Sequence, residues 1–143
     1  MTKSVLCAVD ISNGDSDIPV LRRAAQLADL DGAQLDVVTV LPDFGETWVS
    51  GFFDTGFHEK AVKDAHDHLV GLCASALGEE RNASVRHVVA TGTAYQEILK
   101  TAETAGSDLI VIGAHKPDLK DYLLGPNASR VVRHSAVSVY VVR

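Results

Sequence analysis

The first strand-forming segment of the chain, Val5–Val9, is apolar at every position instead of alternating between apolar and polar side chains. A strand with one face in water alternates, whereas a continuous apolar run is typical of a strand that is buried on both faces of a parallel sheet. We therefore expect other elements to cover both sides of this strand, which argues against a sheet with one solvent-exposed face.

Strand and helix patterns alternate along the rest of the sequence. The predicted strands are Val5–Val9, Leu35–Leu41, Val85–Ala90, Asp108–Gly113 and Val137–Val142. The first predicted helix has Ser16 or Asp17 as its N-cap and is closed by Gly32. The other predicted helices are His58–Glu79, Ala94–Ala105 and Asn127–His134. This alternation predicts an α/β fold with an open five-stranded parallel sheet and helices on both faces, built as a single domain over residues 1–143.

Two segments carry neither a clear helix pattern nor a clear strand pattern. Residues 11–17 are rich in Ser, Asn, Gly and Asp, and we interpret them as a loop. Residues 43–56 combine glycines with Trp48 and several phenylalanines and show no period. A loop of this length is often functional, but it can equally be a hydrophobic flap that only covers the sheet, and the sequence leaves both readings open.

Charge and cysteine content exclude several classes of protein. Thirteen Lys and Arg against nineteen Asp and Glu give a net charge of −6, which argues against broad binding to nucleic acid or to an anionic membrane. No signal-peptide pattern precedes the first strand, and no apolar run approaches the roughly 20 residues of a membrane span, so we expect a cytoplasmic protein. Cys7 and Cys73 form no CxxC motif and are predicted to be reduced core thiols.

The ends of the first and fourth strands are the candidate ligand site. Open α/β sheets bind ligands at the carboxyl ends of their strands, where the strand order reverses. Asp10 follows the first strand, and Gly113–Lys116 ends the fourth. Further on, Gly125 precedes a helix whose first N–H groups can hold a phosphate, with Asn127 and Ser129 as added donors. The same residues also suit an ordinary helix start, so their spacing alone leaves both interpretations open.

Other motifs do not point to a site. The six histidines lack metal-ligand spacing, since His66 and His68 are two residues apart on a predicted helix and point about 200° apart around it. Ser12 and Ser129 have no identifiable His or Asp partner, and no GxSxG elbow is present. We therefore predict neither a structural metal site nor a serine nucleophile.

Several motifs together resemble the universal stress protein family from end to end. They are Ala8-Val9-Asp10, Gly92-Thr93-Ala94, Val111–Lys116, Leu123–Ser135 and the final strand Val137–Val142. The nucleotide-binding branch of that family carries a three-glycine motif that ends in Gly-[Ser/Thr], and it binds ATP. The resemblance implies a Rossmann-like sheet in the strand order 3-2-1-4-5, with an ATP site between the first and fourth strands.

The glycine motif of that branch is only partly present. Gly113 matches its first glycine and Gly125 its third, but the second glycine is absent, the loop is one residue shorter, and Pro126 replaces the hydroxyl residue. The His-Lys-Pro sequence from His115 and the later Leu-Leu-Gly-x-Asn-Ala instead resemble a subgroup in which ATP binding is also known. The ATP site implied by this resemblance consists of Ala8, Val9, Asp10, Val40, Gly92, Gly113, His115, Lys116, Gly125, Pro126, Asn127, Ala128 and Ser129. Because an ionised carboxylate only accepts hydrogen bonds, Asp10 could accept from the ribose hydroxyls or lie beside a Mg²⁺ ion on the phosphates.

The resemblance also implies a role and an assembly. The role is that of a nucleotide-dependent sensor or switch in stress response, acting on an unknown protein partner. The apolar last strand, Val137–Val142, would pair with its copy in a homodimer or in a dimer of dimers, which would cover an edge that otherwise invites aggregation. No base that would activate water is evident, so fast ATP hydrolysis is not expected.

Two alternative functions stay open at the level of sequence. One is a dimeric interaction module that binds no nucleotide, and it is favoured by Lys116-Pro117 and by Pro126. The other is a slow ATPase or an autophosphorylating protein, in which a carboxylate such as Asp10 would position a metal ion.

Overall fold

The computed structural model describes residues 1–42, 55–114 and 125–143. The strands are β1 Ser4–Ala8, β2 Gln34–Leu41, β3 Arg86–Thr91, β4 Leu109–Gly113 and β5 Ser138–Val142. The α-helices are α1 Ile18–Leu30, α2 Thr55–Leu77, α3 Glu79–Asn82, α4 Ala94–Ala105 and α5 Pro126–His134. Every strand pair is parallel and the sheet order is β3-β2-β1-β4-β5, which confirms the predicted fold class. Of these helices, none is both long enough and apolar enough to span a membrane.

The central position of β1 explains its continuous apolar sequence. Val5 and Cys7 pack with residues of α1 and α2 in one core cluster. Leu6 and Ala8 point to the opposite face and pack with residues of α4 and α5 in a second cluster. Because both faces of β1 are covered, an alternating pattern would have buried a row of polar side chains without partners.

The strand order reverses at β1, which lies between β2 and β4. Ala8, at the carboxyl end of β1, is in register with Val38 on one side and with Ile112 on the other. After β1 the chain crosses to β2, toward one edge of the sheet, and after β4 it crosses to β5, toward the other edge. A crevice at this end of the sheet follows directly from the topology.

The segment after β1 differs from its predicted loop conformation. Ile11–Asp17 forms 3-10 helical turns that are interrupted at Gly14, whose φ of 60° lies in the left-handed region. Asp17 is the N-cap residue of α1, as predicted, but its carboxylate does not cap the helix. One of its oxygens instead accepts a hydrogen bond from the backbone N–H of Asp10, at 2.7 Å. The segment thus folds back over the end of β1.

Helix boundaries differ from the predictions by a few residues. The second helix begins at Thr55 rather than His58, and it ends at Leu77. Gly78, with a φ of 88°, then separates it from the short helix α3, so the predicted single helix to Glu79 is wrong at that end. The last helix includes Pro126, which suits a first turn because proline lacks an N–H. The remainder of the predicted loop at 43–56, residues 43–54, lies outside the described residues.

The two cysteines are free and fully buried, as predicted. Burial raises the pKa of the Cys7 thiol well above its ordinary value and that of Cys73 to about 11. Since the thiolate is the reactive form, we expect neither thiol to react with Ellman's reagent at pH 8 in the native protein. Both should react at once after unfolding in guanidinium chloride. Rapid labelling of either thiol before unfolding would contradict this packing.

His87 makes the stability of the fold depend on pH. Its Nε2 lies 2.7 Å from Oδ1 of the buried Asn82, and the ring of His66 is packed edge-on with a centroid separation of 6.1 Å. Burial, and secondarily the charge of His66, lowers the pKa of His87 in the folded state. The unfolded chain therefore binds more protons as the pH falls below about 6.5, and the free energy of unfolding decreases there.

We expect His87→Gln to weaken this pH dependence, because glutamine keeps an N–H donor for Asn82 but does not titrate. Urea unfolding at pH 7.5 and pH 5.0 measures how much the free energy of unfolding decreases between the two pH values, in the wild type and in each variant. His68→Gln, at an exposed position on α2, is the control and should keep the wild-type dependence. If His87→Gln lost as much stability between the two pH values as the wild type, another group would be responsible for the pH dependence.

Candidate functional site

A cavity of about 380 Å³ opens at the carboxyl ends of β1, β2 and β4. Its wall comes from these strand ends, the 3-10 segment, α4 and the first turn of α5: Ala8–Asn13, Asp17, Val38, Val40–Pro42, Ala94, Ile98, Ile112, Gly113 and Gly125–Ala128. This is the position at which open α/β sheets bind ligands. The volume lies within the roughly 300–1,000 Å³ of small-molecule sites.

Apolar side chains form the inner wall of the cavity. Val38 is fully buried, and Ala8 and Ile112 are each 6% exposed. These three residues are register partners on adjacent strands, so their side chains lie side by side on the face that α4 covers. Ile98 of α4 and the half-buried Val40 complete this surface. The wall suits a flat, uncharged ring such as a nucleobase.

Oxygen-bearing side chains form the rim beside β1. Oδ1 of Asp10 accepts hydrogen bonds from the backbone N–H and the hydroxyl of Ser12, at 2.9 and 2.5 Å. The hydrogen bond from the Asp10 N–H to Asp17 ties the two ends of the 3-10 segment together. Asp10, Ser12, Asn13 and Asp17 all face the cavity. This rim can accept hydrogen bonds from hydroxyl groups, whereas its two carboxylates disfavour an unneutralised anion next to them.

The first turn of α5 forms the opposite side. Gly125 is the N-cap residue and brings no side chain to cap the helix, while its own N–H donates to the carbonyl of Ala114 at 3.2 Å. Pro126 lacks an N–H, so the first backbone donors that the helix presents are those of Asn127 and Ala128. The helix dipole adds positive potential at this end. An anionic group of a ligand is therefore favoured here and not at the Asp10 rim.

The structure brings most of the predicted site residues together. Ala8, Val9, Asp10, Val40, Gly113, Gly125, Pro126, Asn127 and Ala128 all line the cavity. His115 and Lys116 lie outside the described residues.

Two predicted residues are not part of the cavity wall. The hydroxyl of Ser129 donates to the carbonyl of Pro126 at 3.3 Å, within its own helix. Gly92, after β3, has a φ of 142°, and its N–H donates to the carbonyl of Leu41. A Cβ at Gly92 would lie 3.1 Å from Cγ of Glu97, so this glycine permits the close approach of α4.

Sequence reasoning missed part of the wall. Ser12 and Asn13 were interpreted as ordinary loop residues and Asp17 as a residue of the same loop or a helix cap, although the segment directly follows a strand that ends at the reversal point. That position was an available signal for a site, since loops at this end of a sheet carry its ligand contacts. The contribution of Ile98 depends on how α4 packs across the sheet, and that of Ile112 depends on the pairing of β4 with β1. No local motif indicates either contact.

The described residues contain no group of three or more His, Cys, Asp or Glu side chains that could hold a metal ion. Asp10 and Asp17 offer only carboxylate oxygens at the rim. Such a pair suits Mg²⁺ that arrives with a ligand, because Mg²⁺ is usually held by one or two carboxylates together with substrate phosphates.

Comparisons with known proteins agree with this fold over the whole chain. The profile of the Universal stress protein family matches residues 1–143. Universal stress protein G of Shigella flexneri is 29% identical over 145 residues, a match that covers 100% of both chains.

Two solved structures have the same architecture. The structure of MJ0577, a universal stress protein of Methanocaldococcus jannaschii, has a TM-score of 0.78 at 24% identity and covers 99% of this chain and 96% of its own. A universal stress protein of Archaeoglobus fulgidus in complex with dAMP has a TM-score of 0.68 at 22% identity, with coverage of 99% and 98%. From the family match over its full length, the chain belongs to the universal stress protein family.

Proposed function

We propose that this protein binds ATP in the cavity at the ends of β1 and β4 and acts as a cytoplasmic, nucleotide-dependent switch in stress response. One observation carries the proposal: a single cavity joins an apolar wall, a hydroxyl-accepting rim and the open first turn of a helix. These three surfaces match, in turn, a base, a ribose and a phosphate group. The complex of the Archaeoglobus fulgidus relative with dAMP supports an adenine nucleotide as the ligand.

The base and the ribose fit the inner part of the cavity. In this proposal the adenine ring lies against Ala8, Val38 and Ile98, where its burial removes apolar area from water at about 25 cal/mol per Å². The ribose lies at the rim, where the Asp10 carboxylate accepts from its hydroxyls. Oδ1 of Asp10 is fixed by Ser12, so the carboxylate is held in place before the ligand arrives, which lowers the entropic cost of binding.

The phosphates fit the first turn of α5, at Gly125–Ala128. The backbone N–H groups of Asn127 and Ala128 would donate to the phosphate oxygens, and the absence of a side chain on Gly125 lets them approach. Lys116 would add a positive charge. A Mg²⁺ ion would neutralise the phosphates, and Asp10 could hold it from the rim as the alternative to accepting from the ribose. The loss of the Pro126 N–H removes one donor from this anion site.

Thermal unfolding with two nucleotides tests the proposal. A ligand that binds only the folded state at 100 times its Kd adds about 2.7 kcal/mol of stability, which raises the Tm of a domain of this size by roughly 5–10 °C. We expect such a rise with millimolar ATP and Mg²⁺ and a smaller one with GTP, because guanine carries more polar groups than adenine and the apolar wall offers them no hydrogen-bond partner. Equal shifts for both nucleotides would point to phosphate binding alone, and no shift would contradict the proposal.

Hydrolysis of the bound nucleotide is the second candidate function. No histidine or lysine lies among the described residues of the cavity wall, so the groups there that can accept a proton from water are the carboxylates of Asp10 and Asp17. Steady phosphate release that Asp10→Asn abolishes would favour a slow ATPase. ATP binding without release would favour the switch, and a folded dimer that binds no nucleotide would favour the interaction module.

We also propose that the protein is a homodimer, or a dimer of dimers, joined through Val137–Val142. β5 is an edge strand of the sheet, and Tyr140 on it is 39% exposed. Pairing with a second β5 would satisfy its free backbone groups and cover its apolar side chains. We expect sedimentation equilibrium to give twice or four times the chain mass. Monomers at micromolar concentration would contradict this assembly.

A further inference from the structure

The carboxyl-terminal part of the chain has a charge opposite to that of the rest. All nineteen Asp and Glu residues lie before Pro126, and the residues from there to the end include Arg130, Arg133 and Arg143 with no acidic residue. Arg130, Arg133 and His134 are on α5, where all three are exposed. On a chain with a net charge of −6, this helix is a local basic surface.

Tyr95 of α4 joins this basic surface and organises it. The guanidinium carbon of Arg130 lies over the Tyr95 ring, 5.3 Å from its centroid. The ring of His134 lies on the same tyrosine, with a centroid separation of 6.1 Å and an interplanar angle of 30°. Arg130 and His134 are four residues apart on α5, so they flank the tyrosine from one helix face. We call Tyr95, Arg130, Arg133 and His134 together the α5–Tyr95 surface.

The arginines of this surface have no carboxylate partner among the described residues. The ion pairs there are Lys60–Asp64, Lys63–Asp67, Arg81–Asp29 and Arg86–Asp36, and all of them lie away from α5. Stacking on Tyr95 restricts Arg130 without using the N–H donors at the edge of its guanidinium plane. Those donors are therefore oriented, and they have no carboxylate partner within residues 1–42, 55–114 and 125–143.

Helix stability explains only part of this arrangement. Cations in the last turn of a helix interact favourably with its dipole, which accounts for Arg133 and His134. Arg130 lies near the middle of the nine-residue helix, where that effect has faded. Arg130 lies instead over an aromatic ring, and Tyr and Arg are among the residue types enriched at the positions that contribute most to binding between proteins.

We infer that the α5–Tyr95 surface is a docking site for an acidic peptide segment of a partner protein. Carboxylates of such a segment would pair with the guanidinium groups of Arg130 and Arg133, each of which can hold a carboxylate through two parallel hydrogen bonds. From Arg130 to His134 the helix rises only about 6 Å. This span suits two or three carboxylates, whereas nucleic-acid binding requires a basic stripe that follows many phosphates.

A fluorescent ten-residue peptide of alternating Glu and Gly is a direct probe, with the Gln–Gly peptide as its uncharged counterpart. Anisotropy titrations at low salt should show binding of the Glu–Gly peptide to the wild-type protein and much weaker binding of the Gln–Gly peptide. Arg130→Gln and Arg133→Gln should each lower the affinity for the Glu–Gly peptide at least about fivefold. This is the loss expected for one charge-assisted contact. Arg23→Gln, at an exposed arginine of α1, should leave its affinity within about twofold.

Four outcomes would overturn the inference. The first is that the Glu–Gly peptide binds no tighter than the Gln–Gly peptide, and the second is that Arg23→Gln weakens binding as much as Arg130→Gln does. The third is tighter binding of a single-stranded ten-nucleotide DNA, which would make the surface a nucleic-acid site. The fourth is a change in sedimentation mass in Arg130→Gln, which would make it an interface between copies of this chain. The peptide titration contains no nucleotide, so it does not depend on the proposed ATP site.

Discussion

Replacing Gly125 by valine is expected to lower the affinity for ATP by at least about thirtyfold while the fold is retained. Gly125 has φ −60° and ψ 159°, a backbone conformation that valine adopts without strain. The effect therefore comes from the new side chain, which would lie in the cavity wall where the phosphates approach the N–H groups of Asn127 and Ala128. A steric conflict of this kind costs about 1–3 kcal/mol. The upper half of that range corresponds to the expected loss of at least about thirtyfold in ATP affinity.

Gly71→Val is the matched control for this change. Gly71 is exposed on α2, and a Cβ built there meets no atom within 4 Å. Valine and glycine are both weak helix formers, so this control should fold and bind ATP as the wild type does. Unchanged ATP affinity in Gly125→Val, with Gly71→Val also unchanged, would remove the first turn of α5 from the site.

Replacing Arg86 by methionine is expected to lower the free energy of unfolding by about 2–4 kcal/mol, with a fall in Tm of roughly 5–15 °C. The side chain of Asp36 on β2 is 1% exposed. Its two oxygens accept from Nε and a terminal nitrogen of Arg86, both at 2.8 Å, across a directly paired position of β3. Without Arg86 the buried carboxylate keeps only a 3.3 Å contact with Gln34, and a buried charge without its partner is strongly destabilising.

The double variant Asp36→Leu/Arg86→Met separates this explanation from a general loss of packing. Removing both charges leaves no buried carboxylate, so much of the lost stability should return. Urea unfolding of the two single variants and the double variant measures this coupling. The pair lies toward the amino end of the sheet, so ATP affinity at 25 °C should not change. A double variant as unstable as the sum of the singles would contradict the account.

The architecture was predictable because β1 is buried on both sides. Its unbroken apolar run excluded a one-sided sheet, and the alternation of strand and helix patterns then required parallel strands. Gly32, with a φ of 61°, also closes α1 as its sequence position suggested. These features follow from local chemistry, which a single sequence displays. The strand order itself came from the family resemblance, because no residue pattern reports which strands are neighbours.

Residues 11–17 show where local chemistry was insufficient. Their Ser, Asn, Gly and Asp content indicated a loop, but the hydrogen bond from the Asp10 N–H to the Asp17 carboxylate closes the segment into 3-10 turns. In the candidate site, too, some residues could be predicted from the sequence and others depend on contacts that form only in the folded chain. Asp10 could be placed from its position at a strand end, and Ala8 and Val9 from the family resemblance. Ile98 reaches the cavity only because α4 packs across the sheet.

Calorimetric titration of the nucleotide-free protein with ATP and Mg²⁺ tests the central proposal most directly. We expect binding of one ATP per chain with a Kd in the micromolar range, and weaker binding of AMP, because AMP offers fewer phosphate oxygens to the first turn of α5. The absence of heat from a folded protein, confirmed by the absence of a change in Tm, would contradict the ATP site. In that case the missing second glycine and Pro126 would be sufficient to prevent nucleotide binding. The protein would then be the dimeric interaction module that binds no nucleotide.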